Sequence, residues 1–175
     1  METLCDWTQR TTRNMKKVFF VLILLGAIAG CNNESVYLPE TDQLINDIEI
    51  VDKWLFDNNI KAVSDPGGLR YVITAPSAGV KPVLTNSVVV KYTGKLLQND
   101  VLPTKSAVFD QSTVAVTLKL STMIKGWQTG LQLLQKGSKA TLYLPSGLAY
   151  GKAGVGSSIP PNSNVFYEVE LIDVK

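Results

Sequence analysis

The 175-residue sequence contains no histidine and only two cysteines, Cys5 and Cys31. Histidine is the usual general base near neutral pH and the commonest metal ligand, so its absence argues against both kinds of site. Because both cysteines fall within the first 31 residues, the rest of the chain can hold neither a disulfide nor a thiol nucleophile. The chemistry that remains is that of carboxylates, hydroxyls, amines and aromatic rings.

The sequence also lacks an excess of either charge. It has 17 lysine and arginine residues against 15 aspartate and glutamate residues. The first 31 residues hold four of the basic and two of the acidic residues, which leaves 13 of each sign in the remainder. A segment with zero net charge has no electrostatic footprint for nucleic acid, so we expect no nucleic-acid partner.

The longest apolar run near the start is too short to cross a bilayer, which requires about 20 residues. Val18 to Gly30 has 13 residues and follows a short basic start at Met15-Lys16-Lys17. A basic region, a short apolar region and small residues at the cut are typical of a secretory signal. We therefore expect residues 1–31 to be a signal region, with translation from Met15, and residues 32–40 to be a polar tether.

The end of this segment, Ile28-Ala29-Gly30-Cys31, resembles the bacterial lipobox, in which the cysteine is diacylated and becomes the new N-terminus. The resemblance implies a lipoprotein anchored through Cys31 in the bacterial cell envelope, at the outer membrane and facing the periplasm. The alternative is an ordinary signal peptide with an incidental cysteine.

Residues 41–64 are predicted to form an N-terminal amphipathic helix. Apolar residues recur at helical spacing along one face, at Leu44, Ile48, Val51 and Leu55. Two interpretations remain open. Either the helix packs on its own domain, or it binds a second copy or a partner helix, since Trp54 and Phe56 would give it two apolar faces.

The turn signal Asp65-Pro66-Gly67-Gly68 predicts a domain boundary, so that residues 65–175 form the main domain. Beyond it the apolar period changes from 3.6 to 2, and the alternating residues include Val88, Val90, Val165, Val169 and Leu171. Between these segments, Ile124, Trp127, Leu131 and Leu134 lie on one helical face that ends before Gly137. Several strands around one short helix predict an α+β domain with a half-buried antiparallel sheet.

Five aromatic residues fall at inward strand positions, at strand edges or at the helix start: Tyr92, Phe109, Trp127, Tyr150 and Tyr167. For any one of them, core packing is the simpler interpretation. Asp110 differs, because a carboxylate directly after a buried aromatic residue is costly in a core. Together these residues suit an apolar pocket for a neutral peptide.

Five sequence blocks resemble those of the FKBP-type peptidyl-prolyl isomerases, in the same order. They are Val-Lys-Tyr-Thr-Gly-Lys from Val90, Phe109-Asp110, Met-Ile-Lys-Gly-Trp from Met123, Leu-Ala-Tyr-Gly from Leu148, and Ile-Pro-Pro-Asn from Ile159. The resemblance covers Pro66 to Lys175 and is far more specific than any single block. It implies an antiparallel half-barrel sheet wrapped around a short helix, preceded here by the N-terminal helix.

The resemblance also implies an activity and assigns roles. The domain would isomerise X–Pro bonds of envelope proteins and assist their folding, without metal or cofactor. Trp127 would form the floor of the pocket, beneath the proline ring. The walls of the pocket would be formed by Tyr92, Phe109, Met123, Ile124, Tyr150, Ile159 and Tyr167. The Tyr150 hydroxyl and the Ile124 N–H would bind peptide carbonyls, with Asp110 beside the reacting amide. Macrolides of the rapamycin type would compete.

The sequence departs from the family pattern at several places. Val114 and Val116 stand where aromatic residues are frequent, Ser158 stands where an apolar residue is common, and the loop from Leu96 to Val108 is longer than usual. These changes leave two other function classes open. One is a membrane-tethered chaperone or binding module with this fold and little isomerase activity, and the other is a purely structural envelope lipoprotein.

Overall fold

A computed structural model describes residues 40–98 and 106–175, which all belong to one compact unit, Leu38–Lys175. The expected signal region with Cys31, and the tether up to residue 39, lie outside the described residues. Two α-helices are present in the described part, α1 (Glu40–Asp57) and α2 (Lys125–Leu133). No helix among these residues is both long and apolar enough to span a membrane.

Six strands form a single sheet: β1 (Val63–Ser64), β2 (Arg70–Ala75), β3 (Ser87–Leu96), β4 (Val108–Lys119), β5 (Lys139–Leu144) and β6 (Val165–Val174). Their order across the sheet is β1-β2-β5-β6-β3-β4, and every neighbouring pair is antiparallel. The predicted α+β class with an antiparallel sheet and a short helix is therefore confirmed.

Helix α2 covers one face of the sheet. Successive residues of a strand point to opposite faces, so alternate residues of β3, β5 and β6 face this helix. They form one core with the apolar residues of α2, and its buried members include Val88, Val90, Leu142, Leu144, Val169, Leu171, Trp127, Leu131 and Leu134. Gly130 lets α2 approach β5 closely, because a Cβ atom there would lie 2.7 Å from Cδ1 of Leu142.

Helix α1 covers the opposite face. Its buried residues Val51, Trp54 and Leu55 share a second core with Tyr143 of β5 and Phe166 of β6. The Trp54 ring lies 5.5 Å from the Phe166 ring and 5.8 Å from the Tyr143 ring, measured between centroids. Its indole N–H donates to the carbonyl of Gln98 at 3.0 Å, so the polar end of the side chain is satisfied as well.

The structure distinguishes the two interpretations of the N-terminal helix. Trp54 is only 2% exposed and packs in the core with Tyr143 and Phe166, whereas Phe56 is 84% exposed. The helix packs on its own domain and ends at Asp57, within the predicted segment 41–64. The turn at Asp65, where the sequence predicts a domain boundary, lies inside the sheet between β1 and β2.

Candidate active site

The five predicted aromatic residues meet at one end of the α2 face. The Trp127 ring contacts the rings of Tyr92 and Tyr167, with centroids 5.1 and 5.2 Å apart. Phe109 continues the cluster, since its ring lies 5.6 Å from that of Tyr167 and 6.0 Å from that of Tyr150. All four contacts are close to perpendicular, an arrangement that aromatic rings favour.

Strand register explains why three of these rings converge. Tyr92 and Gly94 lie on β3, which pairs with both β4 and β6, and Gly94 stands opposite Tyr167. A Cβ atom on Gly94 would lie 2.7 Å from Cε1 of Tyr167 and 2.8 Å from Cζ of Phe109. Real Cβ atoms do not approach so closely, and glycine is therefore needed for both rings to occupy this space. The sequence block that contains Gly94 gives no indication of this role.

Trp127 lies in the first turn of α2 and is almost fully buried. Ile124 precedes the helix, and its carbonyl accepts hydrogen bonds from the N–H groups of Trp127 and Gln128 at 3.0 and 3.1 Å. The Trp127 indole nitrogen is buried and has no hydrogen-bond partner among the described residues. The side chain thus contacts Tyr92 and Tyr167 through its ring rather than through a hydrogen bond.

Two hydrogen bonds place the polar groups of the cluster. The Tyr92 hydroxyl donates to Oδ2 of Asp110 at 3.0 Å. The hydroxyls of Tyr150 and Tyr167 lie 2.6 Å apart. The Asp110 side chain is exposed, and Phe109, which the sequence suggested to be buried, is half-buried. Its carboxylate lies at the rim of the cluster and is held there by Tyr92.

Burial changes the acidity of two tyrosines of the cluster, Tyr92 and Tyr167. It raises the pKa of Tyr92 to about 12, and the hydrogen bond and negative charge of Asp110 add to the effect. Burial, followed by the hydrogen bond to Tyr150, raises the pKa of Tyr167 well above its usual range. Both phenols therefore keep their protons at any physiological pH and remain available as hydrogen-bond donors.

The other predicted wall residues pack against the same core. Met123 and Ile124 are half-buried, and Ile159 is buried. Ile159 is fixed by backbone hydrogen bonds with Val155, at 2.8 and 3.1 Å. Two valines stand where aromatic residues are frequent in the family. Val116 packs against the core, whereas Val114 is exposed. Among residues 40–98 and 106–175, no group of three or more potential metal ligands occurs.

The loop that carries Tyr150 is supported by a contact that was not predicted from the sequence. Ser146 begins this loop, and both its backbone N–H and its hydroxyl donate to Asp47 of helix α1. A signal was present, because Asp47 falls on the apolar face of the helix, between Leu44 and Val51. A carboxylate in that position must find partners in the folded protein.

Comparisons with known proteins agree with this geometry. Residues 79–172 match the family model described as FKBP-type peptidyl-prolyl cis-trans isomerase. A probable FKBP-type peptidyl-prolyl cis-trans isomerase FkpA of Neisseria meningitidis is 39% identical over 110 residues, which cover 61% of this chain and 38% of that protein. The outer membrane protein MIP of Legionella longbeachae is 37% identical over 113 residues, covering 63% of this chain and 46% of that protein.

The solved structures give the same result. A crystal structure of a peptidyl-prolyl cis-trans isomerase from Pseudomonas syringae superimposes with a TM-score of 0.63 at 30% identity. The match covers 79% of this chain and 97% of that one. The chain thus spans less than half the length of the two curated relatives but nearly all of this solved domain. The resemblance found in the sequence is confirmed, and the chain belongs to the FKBP-type peptidyl-prolyl cis-trans isomerase family.

Proposed function

We propose that this protein is a peptidyl-prolyl cis-trans isomerase that acts on X–Pro bonds of polypeptides in the bacterial envelope. The observation that carries the proposal is the perpendicular aromatic cluster on Trp127, with the Tyr150 and Tyr92 hydroxyls and the Asp110 carboxylate at its edge. Such a pocket binds an apolar ring and orients the polar backbone next to it. Its family membership supports the same reaction.

The apolar part of the pocket acts on the amide itself. Rotation about a peptide bond has a barrier of about 18–20 kcal/mol, because resonance is lost when the bond is twisted. The planar amide is more dipolar than the twisted one, so a water-excluding aromatic surface destabilises the planar ground state more. Trp127 would lie beneath the proline ring, and Tyr92, Phe109 and Tyr167 would surround it. Each 1.36 kcal/mol removed from the barrier increases the rate about tenfold.

The polar groups supply orientation. The Tyr150 hydroxyl and the Ile124 N–H would donate to carbonyls of a bound, turn-like peptide. Asp110, held by Tyr92 at 3.0 Å, would lie beside the reacting amide. Holding the peptide in one geometry lowers the entropic part of the barrier. No covalent intermediate takes part in this mechanism, and macrolides of the rapamycin type would compete for the same pocket.

We place the protein in the cell envelope, anchored through an acylated Cys31. The lipobox resemblance and the short apolar run before it support this location. So does the name of one relative, which is an outer membrane protein. A dimer through helix α1 is not part of the proposal, because Trp54, one of the two side chains behind that expectation, is buried against the sheet.

The test is an isomerisation assay with the full chain and a short X–Pro peptide, in which exchange NMR measures the rate of cis-trans exchange. The expected result is acceleration of cis-trans exchange that is inhibited by rapamycin. If a folded protein does not accelerate exchange, the proposal is overturned. Suppression of aggregation of an unfolded client without acceleration would instead identify a tethered binding module.

A further inference from the structure

Helix α1 carries a buried carboxylate that contacts the site loop. Asp47 is only 1% exposed. Its Oδ2 accepts hydrogen bonds from the Ser146 hydroxyl at 2.5 Å and from the Ser146 backbone N–H at 2.9 Å. Its Oδ1 accepts from the side-chain amide of Gln43 at 2.7 Å. Helix α1 lies outside the residues matched by the family model, 79–172, so the family match assigns no role to this contact.

Asn164 joins the contact from the other side. Its Oδ1 accepts from the Ser146 backbone N–H at 2.9 Å, and its Nδ2 donates to the Asp47 backbone carbonyl at 3.4 Å. Asp47, Ser146 and Asn164 are all buried. A carboxylate withdrawn from water is strongly destabilising unless hydrogen bonds satisfy it. The Asp47 side chain therefore favours one arrangement of Ser146 relative to α1 and β6.

The loop runs directly from Ser146 to Tyr150. Residues Ser146–Leu148 form a single 3₁₀ turn, in which the Leu148 N–H donates to Pro145 and the Ala149 N–H donates to Ser146, both at 2.9 Å. Tyr150 follows at once, and its ring packs against Phe109. The position of the Tyr150 hydroxyl thus depends on a turn whose first residue is held by Asp47.

We infer that Asp47 is a positioning residue for the site, which acts through Ser146 to hold Tyr150 in place. Helix α1 then contributes to the geometry of the site and does not only separate the tether from the isomerase domain. This inference rests on the proposed function, because it assigns Tyr150 a role in that reaction.

The helix provides its own control. Asp52 is a second carboxylate on α1, and it forms a bidentate ion pair with Arg70 of β2 at 2.7 and 2.9 Å. Loss of Asp52 also loosens the attachment of the helix to the sheet, but through a strand that does not carry the site loop. If Asp47 acts specifically on the site loop, Asp47→Ala must therefore lower activity more than Asp52→Ala does.

The experiment compares Asp47→Ala with Asp52→Ala in the full chain, each also in a Tyr150→Phe background. We expect Asp47→Ala to lower kcat/KM for an X–Pro peptide by about tenfold, as displacement of an orienting group does. Asp52→Ala should leave it unchanged. In the Tyr150→Phe background, Asp47→Ala should have little further effect, because the group that it positions has been removed. A general loss of stability would give no such dependence on Tyr150.

Amide hydrogen exchange provides a readout that does not need catalysis. The Leu148 and Ala149 amides should lose protection in Asp47→Ala and keep it in Asp52→Ala. If Asp47→Ala does not fold, Ser146→Ala, which removes only the hydroxyl donor, replaces it. Unchanged exchange at both amides, or equal effects of the two aspartate variants, would overturn the inference. An inactive wild type would contradict the proposed function alone, since the exchange comparison still tests the positioning.

Discussion

The hydroxyls of Tyr150 and Tyr167 lie 2.6 Å apart, so the residue proposed to bind the peptide is itself hydrogen-bonded to a second tyrosine of the aromatic cluster. Tyr167 is almost fully buried, and Tyr150 is half-buried. Either hydroxyl can donate in the free protein. When Tyr150 donates to a peptide carbonyl, only Tyr167 can donate within the pair, and each hydrogen bond then strengthens the other.

Tyr167→Phe removes one of the two paired hydroxyls and leaves the aromatic ring in place. We expect kcat/KM for an X–Pro peptide to fall by about three- to tenfold, the effect of losing one neutral hydrogen bond of about 1 kcal/mol. The same substitution in a Tyr150→Phe background should change little. Tyr143→Phe is the matched control, because Tyr143 is a buried tyrosine on the opposite face of the sheet. Equal losses in Tyr167→Phe and Tyr143→Phe would contradict the pairing.

The Phe109 ring belongs to the aromatic cluster but is only half-buried. Removing this ring should therefore affect activity more than folding. We expect Phe109→Ala to lower kcat/KM by tenfold or more and to weaken rapamycin binding, because two perpendicular ring contacts are lost. Phe56→Ala on helix α1 is the control, since that ring is exposed and far along the chain from the cluster. Wild-type activity in a folded Phe109→Ala protein would place the site elsewhere.

The processing prediction concerns Cys31. If this cysteine is acylated, Cys31→Ser should release the protein from the membrane fraction while its isomerase domain stays folded. Fractionation of cells and thermal unfolding of the purified variant measure the two parts. Cys5→Ser serves as the control, because Cys5 lies before the expected start at Met15. A Cys31→Ser protein that still sediments with membranes would disprove the anchor.

Alternation and turn signals were sufficient to predict an antiparallel sheet and helix α2. The apolar residues of each buried face recur at regular spacing within one segment of the chain, so a local pattern reveals them. Four of the five clustered rings lie within the five blocks, on β3, β4, α2 and the Tyr150 loop, whereas Tyr167 on β6 lies outside them. Two features were not predictable in this way. The exposure of Asp110 depends on where β4 lies at the edge of the sheet, and two partners of Asp47, Ser146 and Asn164, lie 99 and 117 positions away. Contacts at such sequence separation leave no local pattern.

The pH dependence of catalysis tests whether protons are transferred. General acid–base enzymes change rate where their catalytic groups titrate. The sequence has no histidine, both cysteines lie within the first 31 residues, and the raised pKa values of Tyr92 and Tyr167 keep those phenols protonated. We therefore expect kcat/KM to be nearly flat from about pH 6 to 8. A step in this window that Asp110→Asn abolishes would make Asp110 an acid–base participant, contrary to the proposal.

Alkaline stability should reveal the buried phenols directly. Burial raises the pKa of Tyr92 and of Tyr143 to about 12, and it raises that of Tyr167 still further. In the unfolded chain each phenol titrates near pH 10. The folded protein therefore holds these protons more tightly, so their contribution to stability is complete below about pH 10 and is lost as the pH rises toward 12. We expect the urea midpoint to fall between pH 9 and 11.5, and to fall less steeply in Tyr143→Phe. Because lysine side chains titrate in the same range in both proteins, the difference between the two slopes isolates the phenol. Parallel slopes would show that Tyr143 ionises as easily in the folded protein as in the unfolded chain.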